Sequence, residues 1–212
     1  MRRVALHART STLLLLVVPS HTDDNLHGKL VSMRRKTRNE NHWVKRQSFD
    51  IRLLGPGGFY SYVAVCASHV LIFGVLHEVD EPGTQEYMLY VFEVSAKGTL
   101  RDAGSVKTRR HIKGLACTRR GNDTLVAIAH GSSVSLQRLV SLRLEQIASV
   151  NLIDPYWLIF RGELLLVADM DVNIEKHAII SFRAMGNGLT EQQVLLEARS
   201  SVCVREWSLA GD

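Results

Sequence analysis

Apolar and polar positions divide the chain into short segments, most clearly between His111 and Val150. Ile112–Cys117 is apolar and is followed by a polar turn, Arg119-Arg120-Gly121-Asn122-Asp123. Thr124–Ala129 is apolar again, and His130-Gly131-Ser132-Ser133 makes a second turn. Val134–Val140 and Leu142–Val150 then alternate. Period-two alternation in short runs, punctuated by Gly, Asn, Asp and Ser, predicts antiparallel strands. Four such strands in succession form a meander, the unit of a propeller blade. The same order recurs downstream as Tyr156–Phe160, Glu163–Ala168, His177–Arg183 and Leu189–Ala198. Upstream it recurs as Tyr62–Cys66, Val70–His77, Tyr87–Val94 and Thr99–Val106. The fourth strands end near Val106, Val150 and Leu196, roughly 45 residues apart, which is the blade length of WD-type propellers. No third strand ends in Trp-Asp, so these are not standard WD repeats.

Before Leu54, Val4–Ala8, Leu13–Val18, Lys29–Arg34 and Gln47–Leu54 fit a first blade. The same stretch places Arg2, Arg3 and Arg9 ahead of Leu13–Val18, the order of a secretory signal. Pro19-Ser20-His21-Thr22 offers no Ala-x-Ala cleavage site, however. Leu13–Val18 also sits where Thr124–Ala129 and Glu163–Ala168 sit in their own repeats, and it is far short of the ~18–20 apolar residues that span a bilayer. The strand reading is preferred, with a secreted β protein carrying a signal at 1–20 as the alternative. The expected fold is therefore all-β, a partial β-propeller of about four four-stranded antiparallel blades. Their expected bounds are 1–56, 57–107, 108–150 and 151–198, with the start of a fifth at 199–212. Propellers close with about 4–8 blades, so a fragment of a larger propeller is expected.

Charge adds a polarity to this repeat. The chain carries a formal net charge of +5, yet the basic excess is concentrated before Leu54. Arg34, Arg35, Lys36, Arg38, Lys45 and Arg46 form its densest group. A smaller group comprises Lys107, Arg109, Arg110 and Lys113, with Arg119-Arg120 on the next turn. Clustered Lys and Arg neutralise phosphates and make binding salt-sensitive, although such groups also meet acidic proteins or sit as solvated loop tips. Trp43 could stack on a base or pack at the opening of a strand.

No enzyme signature is found, and catalysis is not expected. Gly55-Pro56-Gly57-Gly58 lacks the Lys-Ser/Thr of a phosphate loop and reads as an inter-blade turn. His130-Gly131-Ser132 is not a nucleophile elbow. His21, Asp23, Asp24 and His27 match no standard metal spacing, and neither a metal nor a cofactor is expected. Three cysteines argue against a disulfide framework. Cys66 and Cys117 fall at the ends of equivalent first strands and are expected to be small buried hydrophobes. Asn122-Asp123-Thr124 is a glycosylation sequon that matters only in a secreted chain. The composition fits a soluble, intracellular β protein.

From Tyr87 onward the order of motifs resembles the C-terminal propeller of the cleavage and polyadenylation specificity factor large subunit. The family also includes the damaged-DNA-binding protein large subunit and the splicing-factor 3b propeller subunit. The residues carrying the likeness begin with Leu89-Tyr90-Val91-Phe92-Glu93-Val94, Lys97-Gly98-Thr99-Leu100 and Ile112-Lys113-Gly114-Leu115. They continue with Leu164-Leu165-Leu166-Val167-Ala168-Asp169 and with Glu197-Ala198-Arg199-Ser200 running to Trp207. Val4-Ala5-Leu6-His7 and Gln47-Ser48-Phe49-Asp50-Ile51-Arg52-Leu53-Leu54-Gly55-Pro56 resemble the polyadenylation branch in particular. Leu115 stands where the family has Pro, the turn after Asp169 is longer, and the Leu54–Tyr62 segment is shorter. The resemblance implies a non-catalytic scaffold in a nuclear nucleic-acid-processing complex, foremost pre-mRNA 3′-end processing. Its implied partners are other subunits of that complex and RNA, with no membrane. The sister branch implies a DNA-repair or ubiquitin-ligase adaptor instead.

Overall fold

The computed structural model describes residues 2–7, 12–17, 27–35, 43–52, 62–66, 69–77, 85–95, 99–108, 111–185 and 188–199. The strands fall into four sheets, each paired in chain order and antiparallel throughout. Blade 1 comprises β1 (Arg2–His7), β2 (Thr12–Val17), β3 (His27–Arg35) and β4 (Trp43–Arg52). Blade 2 comprises β5 (Tyr62–Val65), β6 (His69–His77), β7 (Gln85–Val94) and β8 (Leu100–Thr108). Blade 3 comprises β9 (Gly114–Arg120), β10 (Asp123–His130), β11 (Ser133–Val140) and β12 (Arg143–Asn151). Blade 4 comprises β13 (Pro155–Arg161), β14 (Leu164–Asp171), β15 (Lys176–Met185) and β16 (Gly188–Arg199). β1 lies against β5, β5 against β9 and β9 against β13. The first strand of each meander thus neighbours the first strand of the next, as the inner strands of a propeller do. The fold is a partial propeller of four blades.

β10 shows why the sequence takes this form. Alternate side chains of a strand point to opposite faces of its sheet. Val126 and Ile128 are buried in a core shared with blade 2, alongside Val70, Leu71, Leu89 and Val91. Leu125, Ala127 and Ala129 are buried in a second core, against Leu158, Leu165, Val167 and Phe182 of blade 4. A strand sandwiched between two blades needs apolar residues on both faces, which gives the unbroken run Leu125–Ala129. β12, the outer strand of blade 3, is only half-buried, with Leu144 on the core shared with blade 2 and Ile147, Ala148 and Val150 on the core shared with blade 4.

The expected strands are present, with different bounds. The largest difference is at Leu142, expected to open a strand but found in a two-residue turn with Ser141, before β12. Both residues have left-handed backbones, φ 45° at Ser141 and 62° at Leu142. Leu142 is half-buried against the blade 2 core, so packing overrides the usual preference for Asn or Gly in such a turn. Glu163 likewise lies in a turn and β14 begins at Leu164, while the long turn expected at Asp169–Lys176 shortens to Val172–Glu175. Thr12–Val17, the stretch with two readings, pairs with both β1 and β3. The expected Gly55–Gly58 turn, the His21–Asp24 part of the loop cluster and the expected fifth-blade start beyond Arg199 lie outside the described residues.

Candidate nucleic-acid interface and the blade seams

The basic group of blade 1 is assembled by a hairpin. In β3 and β4, Arg34 stands opposite Val44, Arg35 opposite Trp43 and Met33 opposite Lys45, with a register shift between Ser32 and Met33. Antiparallel pairing therefore brings Arg34, Arg35, Lys45 and Arg46 to one end of the two outermost strands of the blade. Lys45 and Arg46 are exposed there. Lys36 and Arg38, on the segment joining the strands, lie outside the described residues.

The second basic group does not hold together. Lys113 immediately precedes β9, whereas Arg119 and Arg120 close it, so the length of the strand separates them. Lys113 forms an ion pair with Asp154 of blade 4. Arg120 lies 3.5 Å from Glu163, an ion-pair separation without hydrogen-bond alignment. The Arg119 Nε donates to the carbonyl of Gly121 at 3.0 Å. Arg109 and Arg110 lie outside the described residues. Next to this end, burial first and the Lys113 charge second hold the His111 imidazole below its ordinary range, and its ring meets Tyr87 edge-on at 5.8 Å.

Several stretches that carry the sequence resemblance prove to build seams between blades. A Cβ on Gly114 would sit 3.2 Å from Leu158 Cγ, 3.3 Å from Ala129 Cβ and 3.3 Å from the Tyr156 carbonyl oxygen. Glycine is what lets β9 approach β13 this closely. Buried Asp169 accepts from the backbone N–H groups of Ile153 at 3.1 Å and Asp154 at 2.7 Å. It thereby fixes the segment that presents Asp154 to Lys113. Across the first seam, Gln47 donates from Nε2 to the Leu100 carbonyl at 3.1 Å and accepts from the Leu100 N–H at 2.7 Å. Phe49 packs on Phe92 with ring centroids 5.3 Å apart.

Between blades 2 and 3 the apolar core is interrupted by polar contacts. Cys66, just past β5, and Cys117, within β9, are both buried and neither is in a disulfide. Each was expected to be a small buried residue, and the burial agrees; that the two thiols interact was not foreseen. The Cys66 Sγ also donates to the His69 carbonyl oxygen at 3.6 Å. The His69 Nδ1 lies 3.0 Å from Thr124 Oγ1 of blade 3. The Cys117 thiol draws the Cys66 thiol down to about 6, against the upward push of burial and with further help from His69. Burial, then Cys66, pushes Cys117 well above the ordinary thiol range. The usable sequence signal was the blade repeat itself, which sets first strands side by side.

Two clefts open along this seam. One of about 730 Å³ is lined by Lys107, His130, Gln137 and Arg143 together with Ile112, Ile128 and Leu142. The other, of about 410 Å³, is lined by His69, Glu93, Arg101, Asp102, Ser141 and Leu142. Among the described residues, no group of three or more His, Cys, Asp or Glu side chains is placed to hold a metal ion.

No protein-family model and no curated protein matches the chain. Among solved structures it is similar to a protein from Lactobacillus plantarum, with a TM-score of 0.55 at 14% identity, over 96% of this chain and 57% of that one. It is also similar to an exo-β-1,3-galactanase from Phanerochaete chrysosporium, with a TM-score of 0.49 at 11% identity, over 91% of this chain and 49% of that one. The chain thus spans about half the length of these structures. At such identities the likeness to the Lactobacillus protein is one of fold, and it agrees with the partial propeller.

Proposed function

We propose that the chain is a non-catalytic propeller scaffold in a nuclear complex that processes nucleic acid, with pre-mRNA cleavage and polyadenylation as its setting. The observation that carries this reading is the basic hairpin end of β3 and β4. The pairing of β3 with β4 sets Arg34, Arg35, Lys45 and Arg46 at one end of the blade, and the sequence adds Lys36 and Arg38 between them. The seams leave the other blades to hold the platform, while the charge to meet a phosphate backbone sits on blade 1. The motif order shared with the polyadenylation-factor large subunit supports the choice of complex, with its other subunits and RNA as partners.

The test is RNA binding measured across a salt series. For single strands, each phosphate contact contributes about −0.7 to the slope of log K against log salt. Replacing the six basic residues with Gln should flatten that slope by up to about 4 if all six make such contacts. An unchanged slope removes them from the interface. Purification of the endogenous protein from nuclear extract, with identification of its companions, tests the setting. Recovery of polyadenylation subunits supports it, whereas a cullin ligase moves the protein to the DNA-repair branch. A glycan on Asn122, which is exposed in the β9–β10 turn, would overturn the nuclear reading in favour of secretion.

A further inference from the structure

We propose that the larger cleft between blades 2 and 3 binds a small amphiphilic anion, an apolar body bearing one carboxylate or phosphate head. Its volume of about 730 Å³ falls within the ~300–1,000 Å³ of small-molecule sites. Its wall combines two chemistries. Ile112, Ile128, Leu142 and Leu144 supply an apolar lining, which belongs to the core that the two blades share. Lys107 near the end of β8 and Arg143 at the start of β12 supply positive charge, and the His130 imidazole and Gln146 amide add polar groups. No Asp or Glu stands among the lining residues. Two cations on an apolar wall without carboxylates select a ligand whose body is apolar and whose charge is negative.

Two features set this cleft apart from its surroundings. The smaller cleft shares Leu142 but is lined by Glu93 and Asp102, and its Arg101 is paired with Glu93 at 2.5 Å. Arg120 and Arg138 likewise lie beside Glu163 and Asp123, whereas among the described residues the Arg143 side chain forms no ion pair. The second feature is the turn before Arg143. A two-residue hairpin turn with both residues left-handed ordinarily takes Asn-Gly or Asp-Gly. Here it is Ser141-Leu142, at φ 45° and 62°. Backbone held against local preference gathers at binding sites, and this turn puts Leu142 on the walls of both clefts and Arg143 on that of the larger. A carboxylate or phosphate head offers the fork of acceptors that a guanidinium matches, and Lys107 adds a point charge. The apolar body exchanges water for Ile112, Ile128 and Leu144. The site is separate from the basic group of blade 1, and neither reading depends on the other.

The test titrates the full-length chain with phenylbutyrate, with phenylbutyl phosphate and, as the same body of opposite charge, with phenylbutylamine, following the ligand signals by NMR. One or both anions should bind at about millimolar concentration, as expected for a ligand of about a dozen heavy atoms. The tighter of the two identifies the head. The amine should bind more weakly by roughly tenfold or more. Arg143→Gln and Lys107→Gln together should weaken the anions by roughly tenfold. Gln146→Glu keeps the shape of the wall but makes it negative, so it should weaken the anions and favour the amine. All three residues are exposed, and substitutions at such positions leave the fold intact. Absence of binding by either anion at about 10 mM, an amine that binds as tightly as the anions, or anion affinity unaltered by the double variant or by Gln146→Glu would each overturn the proposal.

Discussion

The two faces of blade 3 are built on different principles. Toward blade 4 it offers Ala116, Ala127 and Ala129 beside Leu125, Val134 and Leu136, in one core with Leu158, Phe182 and Ala184. Gly114 permits the closest approach, and the Lys113–Asp154 pair and the Asp169 carboxylate fix the edge. Toward blade 2 it offers larger side chains, Leu115, Val126 and Ile128, but also a thiol, a threonine hydroxyl and a strained turn. Both clefts open on that side. Gly114 and the alanines let the blades approach closely at one seam. Larger residues on both sides leave gaps and polar contacts at the other. A propeller can thus join its blades closely at one junction and leave clefts at the next.

The sharpest test of this contrast is truncation on each side. Phe182 is 1% exposed and lies in the core that blade 3 shares with blade 4. Phe182→Ala should cost about 3–5 kcal/mol of stability, the range for a buried aromatic that leaves a cavity. Leu142→Ala, at the half-buried turn of the other seam, removes fewer buried carbons. It should cost less than half as much. Denaturant unfolding of both variants checks the pair, and equal losses would mean that the seams are equally tight.

Overpacking probes the same seam in the opposite sense. Gly114→Ala adds a methyl group to a site where two side chains and a backbone carbonyl stand within 3.3 Å. The carbonyl belongs to β13 and cannot swing aside, so the blades must part slightly, at about 1–3 kcal/mol. The midpoint of thermal unfolding reports this, and a neutral result would show that β9 and β13 have slack.

These contrasts also mark what the chain reveals before it folds. The meander order was legible because turns rich in Gly, Asn and Ser separate the strands, even where the doubly buried β10 loses its alternation to an unbroken apolar run. Leu142 was misread because hydrophobicity says strand, whereas only the facing Gly104, in another blade, explains a leucine at positive φ. The blade 1 basic group was legible because a hairpin joins residues close in sequence. The second group was not, because Lys113 and Arg120 lie close in sequence yet at opposite ends of one strand, each with an acidic partner in blade 4. Cys66 and Cys117 were seen as equivalent but not as neighbours. The blade repeat, which sets first strands side by side, was the signal that could have paired their strands.

The smallest expected effect is a gain in stability, and it isolates the strain at the open seam. Ser141 is exposed at φ 45° and Leu142 follows at φ 62°, conformations that cost an L-residue roughly 1–2 kcal/mol each. Leu142 offsets its share by packing on blade 2, with its Cδ1 2.9 Å from where a Cβ on Gly104 would stand. Ser141 has no such burial. Ser141→Gly removes the steric cost at that position while giving back roughly 0.4–1 kcal/mol through a more flexible unfolded chain. The balance is a gain of about 0.5–1 kcal/mol, within the resolution of denaturant midpoints. If stability instead falls, the serine is making contacts worth more than its strain, and the seam between blades 2 and 3 is better ordered than its turn suggests.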